Sequence, residues 1–204
     1  MSTAAVAHGE ETSLGQPHLK VGFWTFLGSE CLFFGSLIAT YMSYRGHSVT
    51  GPFPHHGPPT GTGILNIPVT SISTFVLLTS SLAMVLALAA CQRGHRGKTS
   101  FWLCVTALFG LIFLGFQAFE FTEFYHNGLS LKKNLFGSTF FVLTGFHGAH
   151  VSVGVLWLLS LFVINQREGI SPENALKVEI AGLYWHFVDI VWIVIFTLVY
   201  LIPD

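Results

Sequence analysis

Charge is what this 204-residue sequence has least of: Asp, Glu, Lys and Arg make up 9% of it against 51% hydrophobic residues, and the net charge is −1. That balance leaves no basic footprint for nucleic acid, and the mean hydropathy of +0.63 reads as an integral membrane protein. Cysteine is scarce as well. Cys31, Cys91 and Cys104 lie in or at the ends of apolar runs without CxxC spacing, so they read as small hydrophobes rather than a disulfide pair or metal ligands, and they say nothing about redox compartment. The first twenty residues are polar and have no hydrophobic core, so no cleavable signal peptide is expected and the first spanning helix must direct insertion. Neither an internal repeat nor a Pro-broken pair of half-helices of the transporter kind is present, which leaves a single domain without a soluble module.

What is abundant is the long apolar run. Five of them, Val21–Tyr44, Ile67–Cys91, Ser100–Phe124, Phe136–Ile164 and Leu176–Ile202, are each long enough to cross the roughly 30 Å hydrocarbon core at about 1.5 Å per residue. The expected fold is therefore all-α, an integral membrane bundle of five transmembrane helices over residues 21–204 behind a cytoplasmic tail of residues 1–20. Between the first two runs, Arg45 to Asn66 is crowded with Pro and Gly and reads as an aqueous loop. Its pair His55 and His56 is too solvent-exposed for a functional metal site. Shorter polar turns follow at QRGHRGK, at Tyr125 to Leu135 and at Asn165 to Asn174. With the N-terminus inside, Lys20, Arg93, Arg96, Lys98, Arg167 and Lys177 fall on the inner side, and Arg45, Lys132 and Lys133 on the outer. The excess of inner positive charge favours a cytoplasmic N-terminus and an external C-terminus.

The fourth run, FGSTFFVLTGFHGAHVSVGVLWLLSLFVI, carries two histidines, which lipid does not tolerate, so they must face protein. Leu143, His147, His150 and Gly154 share one helix face; Thr144, Gly148 and Ser152 form a small-xxx-small stripe beside it, a surface on which another helix packs closely. Glu30 in the first run, Glu120 with Gln117 in the third, and His186 and Asp189 in the fifth are the other intramembrane polar groups. Each charge at mid-bilayer costs about 2.5 to 3.5 kcal/mol, so these positions carry information. Counted from the inner end at about 1.5 Å per residue, Glu30 lies roughly 14 Å deep with His186 and Asp189 at comparable depth, able to meet at one level; Glu120 lies near the outer end. Glu179, Gly182, His186, Asp189 and Ile193 form a polar seam on the fifth helix.

Three readings of these groups stand side by side. Histidines of helices four and five converging on a haem or metal is the sharpest, but no HExxH or Glu-x-x-His spacing supports it. A proton-handling role for Glu30 is the second. The plainest is a buried polar network, Glu30, Glu120, His147, His150, His186 and Asp189, that fixes helix packing.

Four stretches taken in order, GFWTFLGSECLFFGSLIATY, GLIFLGFQAFEFTEF, GSTFFVLTGFHGAHVSVG and YWHFVDIVWIVIFTLVYL, resemble subunit III of the haem-copper respiratory oxidases. The resemblance runs from Val21 to Leu201 and looks like the five-helix bacterial form, lacking the two helices that precede the Glu30-like carboxylate in longer members and help to form their lipid-holding cleft. It implies an accessory, non-redox subunit of a proton-pumping cytochrome c oxidase that reduces dioxygen to water in the cell membrane. Haem and copper are then expected in subunits I and II and none in this chain. The main contact would be subunit I, with subunit II and bound phospholipid as further partners and cytochrome c as the donor to the complex. Glu30 matches the family's buried, carbodiimide-reactive carboxylate. The context around Gly145, Phe146 and His147 looks more like the cytochrome c branch than the quinol oxidase branch, which remains the alternative. The rival of another class is an independent haem-binding or proton-translocating membrane protein built on His147, His150 and His186.

Overall fold

A computed structural model describes residues 18–47 and 65–202. The tail through Pro17 and the loop stretch containing His55 and His56 lie outside the described residues. Five long helices run through the rest: α1 (His18–Tyr44), α2 (Ile67–Gln92), α3 (Arg96–His126), α4 (Leu135–Arg167) and α5 (Leu176–Phe196). All five are long and apolar enough to span a bilayer, α5 together with its flanking turns. The expected all-α bundle of five spans is what the chain forms.

The helices outrun the apolar segments that predict them. α3 begins at Arg96 rather than Ser100 and α4 ends at Arg167 rather than Ile164, because backbone hydrogen bonding continues past the hydrocarbon edge. The fifth span, expected as one helix to Ile202, stops its α-helix at Phe196 and finishes in a π-helical turn, Thr197–Leu201, closed by Ile202 N–H donating to Thr197 O.

Glycine ends two of the helices by one device. Gly94 (φ 73°) follows α2: its N–H donates to Cys91 O and that of His95 to Ala90 O, the paired bonds of a Schellman cap. Gly128 (φ 81°) ends α3 likewise, with Leu129 N–H on Phe124 O and the Leu129 side chain fully buried. α4 uses a variant. Ile170 N–H turns to the Asn165 side-chain oxygen (2.9 Å), because Arg96 Nε already donates to Asn165 O (2.7 Å). Asn165, read from sequence as the first loop residue, is thus a fully buried member of α4, and its amide also donates to Arg96 O and Ser100 Oγ.

α5 lies innermost, against α1, α2 and α4, while α3 packs between α2 and α4. α1 lies at the edge and buries only Leu27, Phe34 and Tyr41, a single stripe with a seven-residue repeat. Its ends are tied to the ends of α5: Lys20 Nζ meets Glu179 Oε1 at 2.5 Å, and Arg45 donates to Ile202 O. With Arg96 of α3 donating to Asn165 O and Gln166 O at the end of α4, these ties confirm alternating spans with Lys20, Arg96 and Arg167 at one end and Arg45 at the other.

Candidate functional site

Glu30 and His150 meet at the α1–α4 seam, His150 Nε2 lying 3.1 Å from Glu30 Oε2, both side chains about four-fifths buried. The other ring nitrogen, Nδ1, donates to Phe146 O at 2.8 Å. A carbonyl only accepts, so the Nδ1 proton is fixed there and one proton is left between Nε2 and Oε2. The pair therefore holds a single proton whether it sits on acid or imidazole. Phe34 packs its edge on the imidazole (4.9 Å between centroids) and Phe33 and Phe146 close the flank. Tyr184 of α5 donates to His150 O, fixing the turn of α4 that presents the ring.

His147 points elsewhere. It is fully buried, donates through Nε2 to Val188 O of α5 (3.2 Å), stacks on Trp192 (4.8 Å) and receives the edge of Phe113 of α3. Its Nδ1 has no hydrogen-bond partner among the described residues. The neighbouring stripe faces α3 as expected: Gln117 Nε2 donates to Thr144 O at 2.7 Å, and a Cβ on Gly148 would stand 2.6 Å from Gln117 Oε1. An alanine at 148 would therefore make the buried Gln117 amide shift from its place between α3 and α4.

His186 and Asp189 sit at the expected level but on another side of α5. Both bond to one hydroxyl of α2, Ser81, whose Oγ lies 2.9 Å from His186 Nδ1 and donates to Asp189 Oδ2. Glu30 thus does not join them, because equal depth on two helices does not make them face the same way. The three histidines likewise do not converge, and among the described residues no three of His, Cys, Asp or Glu gather as a metal-holding group. The seam on α5 also divides: Glu179 turns to Lys20 of α1, Gly182 lies beside Met84 of α2, and Ile193 faces outward.

Glu120 is buried near the far end, where Thr70 Oγ1 (2.8 Å) meets Oε1 and Tyr200 Oη (3.1 Å) donates to Oε2. The π turn carries Tyr200 inward to reach it. Thr70, Thr74, Ser80 and Ser81 recur along α2 as a hydroxyl edge, and the indoles of α5 read it: Trp192 Nε1 donates to Thr74 Oγ1 (2.9 Å), Trp185 Nε1 to Ser80 Oγ (2.8 Å). Thr74 and Ser80 donate their own protons to carbonyls within α2 and so offer lone pairs outward. Sequence reasoning misses these α2 partners; the signal is Thr70, Thr74 and Ser81, four and then seven residues apart and so on one helix face, in an uncharged span.

Fold and site define a polytopic membrane protein whose buried acids and imidazoles are held by neighbouring helices at four separate places. The profile of the family described as cytochrome c oxidase subunit III matches residues 1–203. The chain is 40% identical over 181 residues to cytochrome c oxidase subunit 3 of Bacillus sp. (strain PS3), covering 89% of this chain and 84% of that one. It is 38% identical to cytochrome c oxidase subunit 3 of Bacillus subtilis (strain 168), covering 96% and 91%, and 38% identical to the probable quinol oxidase subunit 3 of Staphylococcus aureus (strain USA300), covering 90% and 88%. The chain belongs to the cytochrome c oxidase subunit III family, the third subunit of the haem-copper oxidases.

Proposed function

We propose that the chain serves a proton-pumping cytochrome c oxidase of the cell membrane as a non-redox subunit that sustains proton uptake. In this reading it packs mainly on subunit I, also meets subunit II, holds phospholipid, and leaves haem and copper to those partners. The N-terminus faces the cytoplasm. The observation that carries the reading is the Glu30–His150 pair, which keeps one proton inside the membrane at a seam between two helices. Glu120, His147, His186 and Asp189 complete the buried polar network, with Glu30 its proton-handling member.

The decisive experiment replaces Glu30 by Gln in the assembled oxidase and follows proton uptake during turnover. Slowed uptake with normal subunit content is expected; unchanged uptake would reduce the pair to packing. Gentle purification through a tag on this chain, with subunit identification and a reduced-minus-oxidised spectrum, tests the setting: haem bound stoichiometrically to this chain alone would overturn it. Quinol oxidation is the second reading for the complex, favoured by the Staphylococcus relatives of equal identity named probable quinol oxidase subunit 3. Activity with reduced cytochrome c but not with quinol distinguishes the two.

A further inference from the structure

Ser81, His186 and Asp189 form a constellation apart from the Glu30–His150 pair, and counting its hydrogens gives it a direction. Ser81 Oγ has one proton and two neighbours able to accept it, Asp189 Oδ2 and His186 Nδ1. Both contacts are satisfied at once only if a second proton lies in the row. The carboxyl is 2% exposed and its Oδ1 has no partner, so Ser81 is the contact through which a proton reaches or leaves it. His186 is half-buried, and among the described residues no hydrogen-bond partner meets its Nε2.

The geometry points to a proton relay in which Asp189 stores a proton and exchanges it, through Ser81 and His186, with a water molecule that meets His186 Nε2 in the assembled oxidase. In the loaded state Asp189 Oδ2–H donates to Ser81 Oγ, Ser81 Oγ–H donates to His186 Nδ1, and Nε2 carries the imidazole proton. Transfer moves the carboxyl proton to Ser81 Oγ and the Ser81 proton to Nδ1. Transfer of the Nε2 proton to that water then leaves an ionised carboxylate, an intact hydroxyl and a neutral imidazole protonated at Nδ1. The same three heavy atoms serve both states, with every hydrogen bond reversed in sense. Protonation at Nε2 runs the row backwards and reloads the acid. The neighbouring titratable groups are engaged otherwise: His147 donates to Val188 O, one residue along α5, and Glu30 and His150 hold each other on α1 and α4.

The test is infrared spectroscopy of the assembled oxidase transferred into deuterium oxide. The Asp189 carboxyl stretch is assigned by its loss in Asp189→Asn, and its deuterium shift is followed in time. Rapid exchange is expected in the native complex. Ser81→Ala and His186→Phe are expected to slow it at least tenfold, and Ser81→Thr, which keeps the hydroxyl, to restore it. Subunit content after purification establishes that each variant is assembled; if Ser81→Ala fails to assemble, the comparison of His186→Phe with the native complex decides. An Asp189 that never shows a protonated carboxyl band, or one that exchanges at the native rate in the assembled Ser81→Ala or His186→Phe complex, would overturn the relay.

Discussion

Gly110 of α3 is the position where one added methyl should do most harm. A Cβ there would stand 2.6 Å from Trp185 Cη2 and 2.7 Å from Val155 Cγ2, well inside contact distance. Trp185 cannot retreat. It is 1% exposed, its indole nitrogen is held by Ser80 at 2.8 Å, and its opposite edge lies 2.9 Å from where a Cβ of Gly154 would be. Gly110→Ala therefore carries an overpacking cost of about 1–3 kcal/mol. Displacing the indole adds about 1 kcal/mol for the broken bond to Ser80. Gly115, on the same helix, has nothing within 4 Å of its would-be Cβ. The gain in helix propensity, at most about 1 kcal/mol, is common to both substitutions and cancels in their comparison. Gly110→Ala should thus lie about 2–4 kcal/mol below Gly115→Ala, the sum of those two costs. Unfolding of the subunit by titrating denaturing detergent into mixed micelles, followed by tryptophan fluorescence, measures this gap. Equal midpoints for the two variants would refute the claim that Trp185 is wedged between the glycines of α3 and α4.

Asn165→Leu strands Ile170 N–H at the end of α4 and removes the amide from Arg96 O and Ser100; it should cost about 2–4 kcal/mol in the same assay, since an unpaired buried donor alone costs about 1–3. Tyr200→Phe removes one of two hydroxyls from Glu120 and should destabilise by about 1–2 kcal/mol, and Tyr200→Phe combined with Thr70→Val should be less than additive because both act on one carboxyl. With single cysteines placed at Lys98 and Lys132 in a background without the native cysteines, a membrane-impermeant maleimide added outside intact cells should label only the second; the reverse result would invert the proposed orientation.

Element type was legible because length and apolarity leave a membrane-embedded backbone only the helix, and the Thr144, Gly148 and Ser152 stripe marked the face on which α3 packs. Lateral position was not. Lys20 and Glu179 set α1 and α5 level, as the common depth expected of Glu30, His186 and Asp189 requires, but which neighbour each acid faces depends on how helices turn about their axes. Periodicity within one helix does not contain that information. Counting apolar residues also ends α4 three positions early, at Ile164 instead of Arg167, because Asn165 looks like a loop residue unless Arg96 and Ser100 are known to receive it. The π turn left no mark in composition, for TLVYL is as apolar as the helix it follows. The six polar residues chosen from sequence all lie at helix contacts. Their partners on α2 and α5 are hydroxyls and indoles, whose types read equally well as bulk.

The pairing of α2 hydroxyls with α5 indoles also orders the making of the protein. Thr74 and Ser80 keep their protons on carbonyls of their own helix, so α2 enters the bilayer with those donors satisfied and waits. The indoles that complete it come at positions 185 and 192, on the fifth span. Closure of the bundle therefore waits until α5 has been made. A nascent chain cut short before α5 would still thread four spans, but it would present Ser81, Glu120 and His147 with partners missing, a signature by which membrane proteases can tell an unfinished subunit from a finished one.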